Sequence, residues 1–289
     1  MQGLVLKGIG SFYTVLGDDG TEYTIKARGR FRKEGISPVV GDCVTFDVAE
    51  GNDGYMTDIL ERKNLLIRPS VANIDKLITV ISASQPQPDF LMLDKLILRC
   101  EQLGIAPVIV LNKCDSLLND PLSQYRSAGY QTFMVSALTG EGVAELKTAL
   151  EGSICCFAGQ SAVGKSSLIN AIMPQLDLEV GGLSRKTSRG KHTTRSVSLI
   201  PFEGGGALLD TPGFSLIDTE PMEAEDLSQL YPEMRRHLHL CRFAGCLHVS
   251  EPDCGVKDAV KSGEISKERY ERYKLLLEEI KRQRKHRYD

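Results

Sequence analysis

The chain has 289 residues, 42% of them hydrophobic and 25% charged, and a formal net charge of −3. That balance excludes a disordered or fibrous chain and a uniformly basic nucleic-acid binder, so any RNA contact must come from local patches. No apolar run is long enough to cross a bilayer and no secretory signal opens the chain, so a cytoplasmic setting without membrane contact is expected.

Residues 1 to about 65 read as short strands. Leu4–Leu6, Phe12–Val15, Thr21–Ile25, Val44–Val48 and Tyr55–Ile59 alternate apolar with polar positions. Asp18-Asp19-Gly20 and Gly51-Asn52-Asp53-Gly54 supply turns. Five strands in this length predict a small barrel of the OB type.

From Leu77 the pattern changes to buried-strand runs alternating with helices. Strands are expected at Leu77–Ile81, Pro107–Leu111, Phe133–Val135, Ile154–Phe157, Val197–Ile200 and Ala207–Leu209, with helices over Leu91–Leu103 and Gly142–Leu150. This is an α/β domain on a largely parallel sheet. Beyond about Pro221 the strands stop, and a helical tail ends in a charged helix over roughly Ser266–Arg287. The expected division is therefore 1–65, 66–220 and 221–289.

Gly159-Gln160-Ser161-Ala162-Val163-Gly164-Lys165-Ser166, followed by Ser167, fits a phosphate loop lying between a strand and a helix. Backbone N–H groups and the helix N-terminus suit phosphate, Lys165 suits the β- and γ-phosphates, and the Ser166 hydroxyl suits Mg²⁺. Asp210-Thr211-Pro212-Gly213 follows a strand, where Asp210 suits water-mediated Mg²⁺ binding and the Gly213 N–H the γ-phosphate. Asn112-Lys113-Cys114-Asp115 also ends a strand. The Asp115 carboxylate can accept both guanine N1–H and N2–H₂, a match adenine lacks. Asn112 is expected to brace the loop and meet the purine edge, and the Lys113 stem to lie over the base. Ser136-Ala137 follows the next strand, where a backbone N–H suits guanine O6. Thr193 or Thr194, not separable by spacing, completes the Mg²⁺ shell within a basic segment that reads as a switch loop.

Together these residues resemble the RsgA family of circularly permuted ribosome-assembly GTPases. Ordinary GTPases present the phosphate loop first, whereas here Asn112 and Ser136 precede Gly159. The resemblance covers essentially the whole chain: OB-type β-barrel, circularly permuted α/β P-loop GTPase domain and mainly helical zinc-binding domain. It implies hydrolysis of GTP to GDP late in 30S maturation, stimulated by the subunit, with 16S rRNA as partner and a monomeric state. His192 matches the family position proposed for water placement, with a solvent-facing switch histidine as the alternative. Lys165, Thr193 and Thr194 join it as catalytic candidates. Phe214 stands where Ras-like enzymes place a water-orienting Gln. A nucleotide-gated RNA-binding module with incidental hydrolysis is therefore the competing reading.

Of eight cysteines, Cys43, Cys100, Cys114, Cys155 and Cys156 read as scattered core residues. Cys241, Cys246, His248 and Cys254 offer a closed structural Zn²⁺ set, with His237 and His239 as alternatives to His248. Two basic clusters, Lys26-Arg28-Arg30-Arg32-Lys33 around Phe31 and Lys281-Arg282-Arg284-Lys285-Arg287, are either solvated faces or, as the resemblance implies, rRNA contacts.

Overall fold

The computed structural model describes residues 1–29, 31, 35–49, 52–67, 69–116, 120–178, 197–210 and 222–288, of which 116 and 285–288 are described by backbone alone. The expected switch residues His192, Thr193 and Thr194, together with Gly213 and Phe214, lie outside this set, as do Arg30, Arg32 and Lys33.

Alternating apolar residues build the first layer. Strands β1 (Gln2–Ile9), β2 (Phe12–Gly17), β3 (Glu22–Ala27), β4 (Cys43–Val48) and β5 (Asp53–Ile59) run in the order β1-β2-β3-β5-β4. A β1–β4 pairing closes the barrel, and β3–β5 is its parallel contact. In β3 the side chains of Tyr23 and Ile25 point inward while Glu22, Thr24 and Lys26 face out, the period expected of a half-buried strand. Val5, Val15, Phe46 and Met56 complete the interior. Phe31 joins them at 3% exposure, so the aromatic ring inside the basic cluster is core rather than an RNA-facing surface.

Leu65–Leu66 (β6) and Val71–Ala72 (β7) form a small hairpin that periodicity does not reveal, because two residues carry no period. Asn64 clamps its base, donating to Ile74 O at 2.9 Å and accepting the Ile74 N–H at 3.0 Å.

The α/β unit follows: β8 (Lys76–Ser82), α1 (Phe90–Leu103), β9 (Ala106–Asn112), α2 (Ser123–Ala128), β10 (Gln131–Met134), α3 (Val143–Leu150), β11 (Ser153–Ala158), α4 (Lys165–Ile172), β12 (Ser198–Pro201) and β13 (Gly206–Asp210). The strand order is β10-β9-β8-β11-β13-β12, parallel except for β12. Among the described residues, the register pair of Lys7 with Ser198 joins this sheet to the barrel. The chain moves outward from β8 to β10, then returns to place β11 beside β8. That reversal opens a crevice at the strands' carboxyl ends, where ligands of open α/β sheets bind.

No strand occurs beyond residue 221 among the described residues; α5 (Pro232–Arg235), α6 (Gly255–Ser262) and α7 (Lys267–Tyr288) dominate there. Their core, with Leu227, Tyr231, Met234, Val256 and Tyr273, also takes in Leu98 from α1. The charge density of α7 conceals a buried face, since Arg269 and Tyr273 are almost wholly enclosed. Cys100, Cys155 and Cys156 are buried as expected, but Cys43, at the start of β4, and Cys114, just after β9, are half-buried rather than in a core.

Candidate functional site

Loops far apart in the chain converge on the crevice, and one side chain ties them together. Asn112 ends β9 and is 1% exposed. Its Oδ1 accepts the Lys113 N–H at 2.9 Å and the Ala137 N–H at 3.1 Å, while Nδ2 donates to Val163 O at 3.0 Å. Its amide thus braces its own motif, the loop after β10 and the phosphate loop at once. A buried amide left without these partners would cost about 1–3 kcal/mol, so the three loops hold one another in place.

Lys113, with φ 63°, sends Nζ to Ala162 O at 2.9 Å and to Gln85 O in the loop after β8. Its stem therefore crosses the mouth of the crevice. Asp115 is exposed, and its Oδ1 accepts the Ser136 hydroxyl at 2.9 Å, which fixes the carboxylate's orientation. The Ser136 N–H donates to Glu141 O at 3.0 Å and the Ala137 N–H to Asn112. In this geometry both amides shape the loop, and a base carbonyl would have to share the Ala137 N–H.

The phosphate loop leaves β11 and enters α4. Gly159 has φ 139°, and a Cβ there would lie 2.2 Å from Val80 O. Gly164 has φ 94°, and its Cβ would lie 2.4 Å from Asn112 Nδ2. These two glycines are thus required both by backbone conformation and by close approach to β8 and to the bracing asparagine. Lys165 Nζ donates to Gly159 O at 2.7 Å and to Gln160 O, spanning the loop it closes. Burial lowers its pKa from the ordinary lysine value. Val163 is buried beneath the loop, Ser161 and Ala162 face solvent, and Ser166 and Ser167 are half-buried in the first turn of α4. Asp210 ends β13; the pairing of Leu208 with Cys155 sets it level with Phe157, just before the phosphate loop. The crevice thus collects Asn112, Lys113, Asp115, Ser136, Gly159–Ser167 and Asp210.

A second centre lies in the helical unit. The ligand atoms of Cys241, Cys246, His248 and Cys254 all fall within 4.8 Å of one another. Cys241 Sγ is 3.9 Å from Cys254 Sγ, and His248 Nδ1 is 3.5 Å and 3.3 Å from the same two sulfurs. Tetrahedral Zn–S bonds of about 2.3 Å place sulfurs about 3.8 Å apart, so the donor set fits zinc. Burial lowers the His248 pKa, keeping the imidazole neutral, and pushes the Cys246 thiol up to about 12. His237 instead faces Glu264 at 3.9 Å, and neither it nor His239 joins the cluster. Two tyrosines hold the knot from α7: Tyr270 donates to His248 O at 2.6 Å and Tyr273 to Leu247 O at 3.0 Å. Sequence reasoning missed them; their i,i+3 spacing on an otherwise charged helix was the available signal.

On the barrel, Phe12 and Tyr55 are 53% and 49% exposed. Lys26 Nζ lies 5.7 Å over the Phe12 ring and the Arg28 guanidinium 6.0 Å from that of Tyr55. In the C-terminal cluster Lys281 is paired with Glu278 and Arg284 with Glu223. The side chains of Lys285 and Arg287 lie outside the described residues.

Comparison with known proteins agrees with this architecture. Residues 59–220 match the RsgA GTPase family and residues 2–56 the RsgA N-terminal domain. The small ribosomal subunit biogenesis GTPase RsgA of Halalkalibacterium halodurans is 44% identical over 294 residues, covering 99% of each chain. The protein of the same name from Caldanaerobacter subterraneus subsp. tengcongensis is 44% identical over 292 residues, covering 100% of this chain and 98% of that one. Among solved structures, YloQ, a circularly permuted GTPase, superposes with a TM-score of 0.82 at 35% identity, covering 98% of this chain and 95% of that one. YjeQ from Thermotoga maritima gives 0.83 at 36% identity, covering 96% of this chain and 98% of that one.

Gly164→Ala is expected to leave the fold intact and to weaken guanine-nucleotide binding by about 1–3 kcal/mol in calorimetry, through left-handed strain and displacement of Asn112. Binding equal to the unaltered chain would contradict that. Cys254→Ser is expected to reduce metal content, measured by atomic emission, from about one zinc per chain to near zero, and to lower the melting temperature. Retention of a full equivalent of zinc would remove Cys254 from the ligand set.

Proposed function

The chain belongs to the RsgA family of GTPases and is a GTP hydrolase, and from that premise we propose that it acts late in maturation of the small ribosomal subunit, with 16S rRNA as a ligand and the 30S particle as its stimulator. The observation that supports the nucleotide half of this reading is the Asn112 brace, which ties the phosphate loop to the loop whose Ser136 anchors Asp115. Asp115 accepts the two guanine N–H donors, and Lys113 covers the base. Amides of Gly159–Ser167 and the Lys165 ammonium surround the phosphates. Ser166 and Asp210, with Thr193 or Thr194, hold Mg²⁺, which supplies neutralisation of phosphate charge. Gly213 is proposed to sense the γ-phosphate and His192 to place the attacking water. These groups position and stabilise rather than form covalent bonds with the substrate.

The exposed Phe12 and Tyr55 rings, each with a cation beside it, support the RNA half. Bases stack on aromatic faces and phosphates pair with cations, the combination by which OB barrels hold single-stranded nucleic acid. The Cys₃His knot holds zinc as a structural ion, since four protein ligands leave no open position. The working units are 1–65 for RNA, 66–220 for GTP and 221–289 around the zinc. The protein is a cytoplasmic monomer in this reading, and no helix among the described residues is long and apolar enough to cross a membrane.

Multiple-turnover phosphate release separates this reading from a nucleotide-gated RNA binder with incidental hydrolysis, which Phe214 favours. Addition of 30S subunits is expected to raise turnover at least about tenfold, because the particle supplies a missing positioning contribution. Raising salt should erode the stimulation as phosphate contacts are screened. Turnover unaffected by 30S subunits would favour the rival.

A further inference from the structure

The helical unit is fastened to the GTPase unit by charges that are out of water. Arg269 of α7 is 1% exposed. Its Nη1 donates to Asp94 Oδ1 and its Nε to Glu233 Oε1, both at 2.7 Å. The guanidinium lies 4.9 Å from the ring centres of Tyr125 and Tyr231, one from each unit. Burial alone would lower the Arg269 pKa, but Asp94 and Glu233 hold it well above the ordinary arginine value.

Asp94 does more than pair once. Its Oδ1 also accepts the Tyr125 hydroxyl at 2.9 Å, and its Oδ2 accepts Nε of Arg272. Arg272 continues to Gln124 Oε1 at 2.6 Å and lies 5.5 Å from the Phe90 ring. Lys95 bonds Glu279 of α7 at 2.8 Å. Besides Gln124 and Tyr125 of α2 and a 3.5 Å contact of Arg235 with Glu101 in the last turn of α1, the grip falls on the first turns of α1.

Those turns begin where the guanine corner ends. Asp89 caps α1 by accepting the Met92 N–H at 2.9 Å. The short loop before it is held by Ala83 N–H to Asn112 O at 2.8 Å and by Lys113 Nζ to Gln85 O. Asn112 and Lys113 thus touch one end of a segment whose other end, Phe90 and Asp94, is held by α7. The loop of residues 83–89 and the first turn of α1 thus lie between two fixed contacts and pass displacement from one to the other, and a coupling of binding equilibria is reciprocal.

We infer that Asp94 is a coupling residue, joining α7 and the Cys₃His unit to the guanine-binding corner through α1, so that bound guanine nucleotide and docking of the helical unit stabilise each other. This coupling rests on the nucleotide reading of the crevice. Binding of a fluorescent GDP analogue to the unaltered chain upholds that reading whatever the variants do.

Asp94→Asn keeps the shape and removes the charge. In the full-length chain it is expected to speed hydrogen exchange in residues 222–288 and to accelerate release of the GDP analogue at least about fivefold, the low end of ordinary allosteric coupling. Zinc content should stay unchanged, which distinguishes undocking from metal loss. In the unaltered chain, GDP should slow exchange along α7. A merely structural Asp94 predicts faster exchange in residues 222–288 with release within about twofold of the unaltered chain, and that result would overturn the inference. Equal α7 exchange with and without GDP would overturn it as well. Should Asp94→Asn fail to fold, Arg272→Gln, which removes the less deeply buried of the two arginines on the same carboxylate, decides by the same two readouts.

Discussion

A buried side-chain amide must find partners, and Asn112 finds them in Lys113, Ala137 and Val163. Those residues belong to loops after β9, β10 and β11, so the base-binding and phosphate-binding halves of the crevice share one rigid joint. Gly164 exists as glycine partly because that joint leaves no room for a Cβ. The arrangement is indifferent to chain order. It needs the carboxyl ends of parallel strands at one edge of the sheet, and the order β10-β9-β8-β11-β13 delivers them there although the base motif precedes the phosphate loop. Permutation therefore relocates the chain ends without altering the joint.

Much of this was legible because the physical signals were strong. The strands β8, β9 and β11 are continuous apolar runs, and the phosphate loop carries its own glycines, lysine and serine. Cys241, Cys246, His248 and Cys254 announce a tetrahedral site by residue type, and the structure chooses His248 over His237 and His239 by placing it at Nδ1 distance from two sulfurs. The β6–β7 hairpin escaped notice because its strands are too short to show a period. Phe31 looked like part of a nucleic-acid surface from its basic neighbours, but barrel curvature turns it into the core.

The larger omission was tertiary. Nothing in the helix-like run of Lys267–Tyr288 distinguishes Arg269, which is buried between two carboxylates and three tyrosine rings, from the solvated charges around it. Its partners Asp94 and Glu233 lie 175 and 36 residues away, a separation that local patterning does not read. In a unit of fewer than 80 residues a hydrophobic core alone supplies little net stability. The Cys₃His knot, the hydroxyls of Tyr270 and Tyr273 and this buried ion cluster share the task of keeping it folded and attached.

The central claim is that a crevice held together by Asn112 aims the Asp115 carboxylate at the purine. Calorimetry of Asp115→Asn against GDP and xanthosine diphosphate tests it most directly. An amide in place of the carboxylate loses one acceptor and gains a donor, which suits the C2 carbonyl of xanthine and opposes the guanine amine. The account predicts a large loss of GDP affinity with a gain for xanthosine diphosphate; undiminished GDP affinity would contradict it.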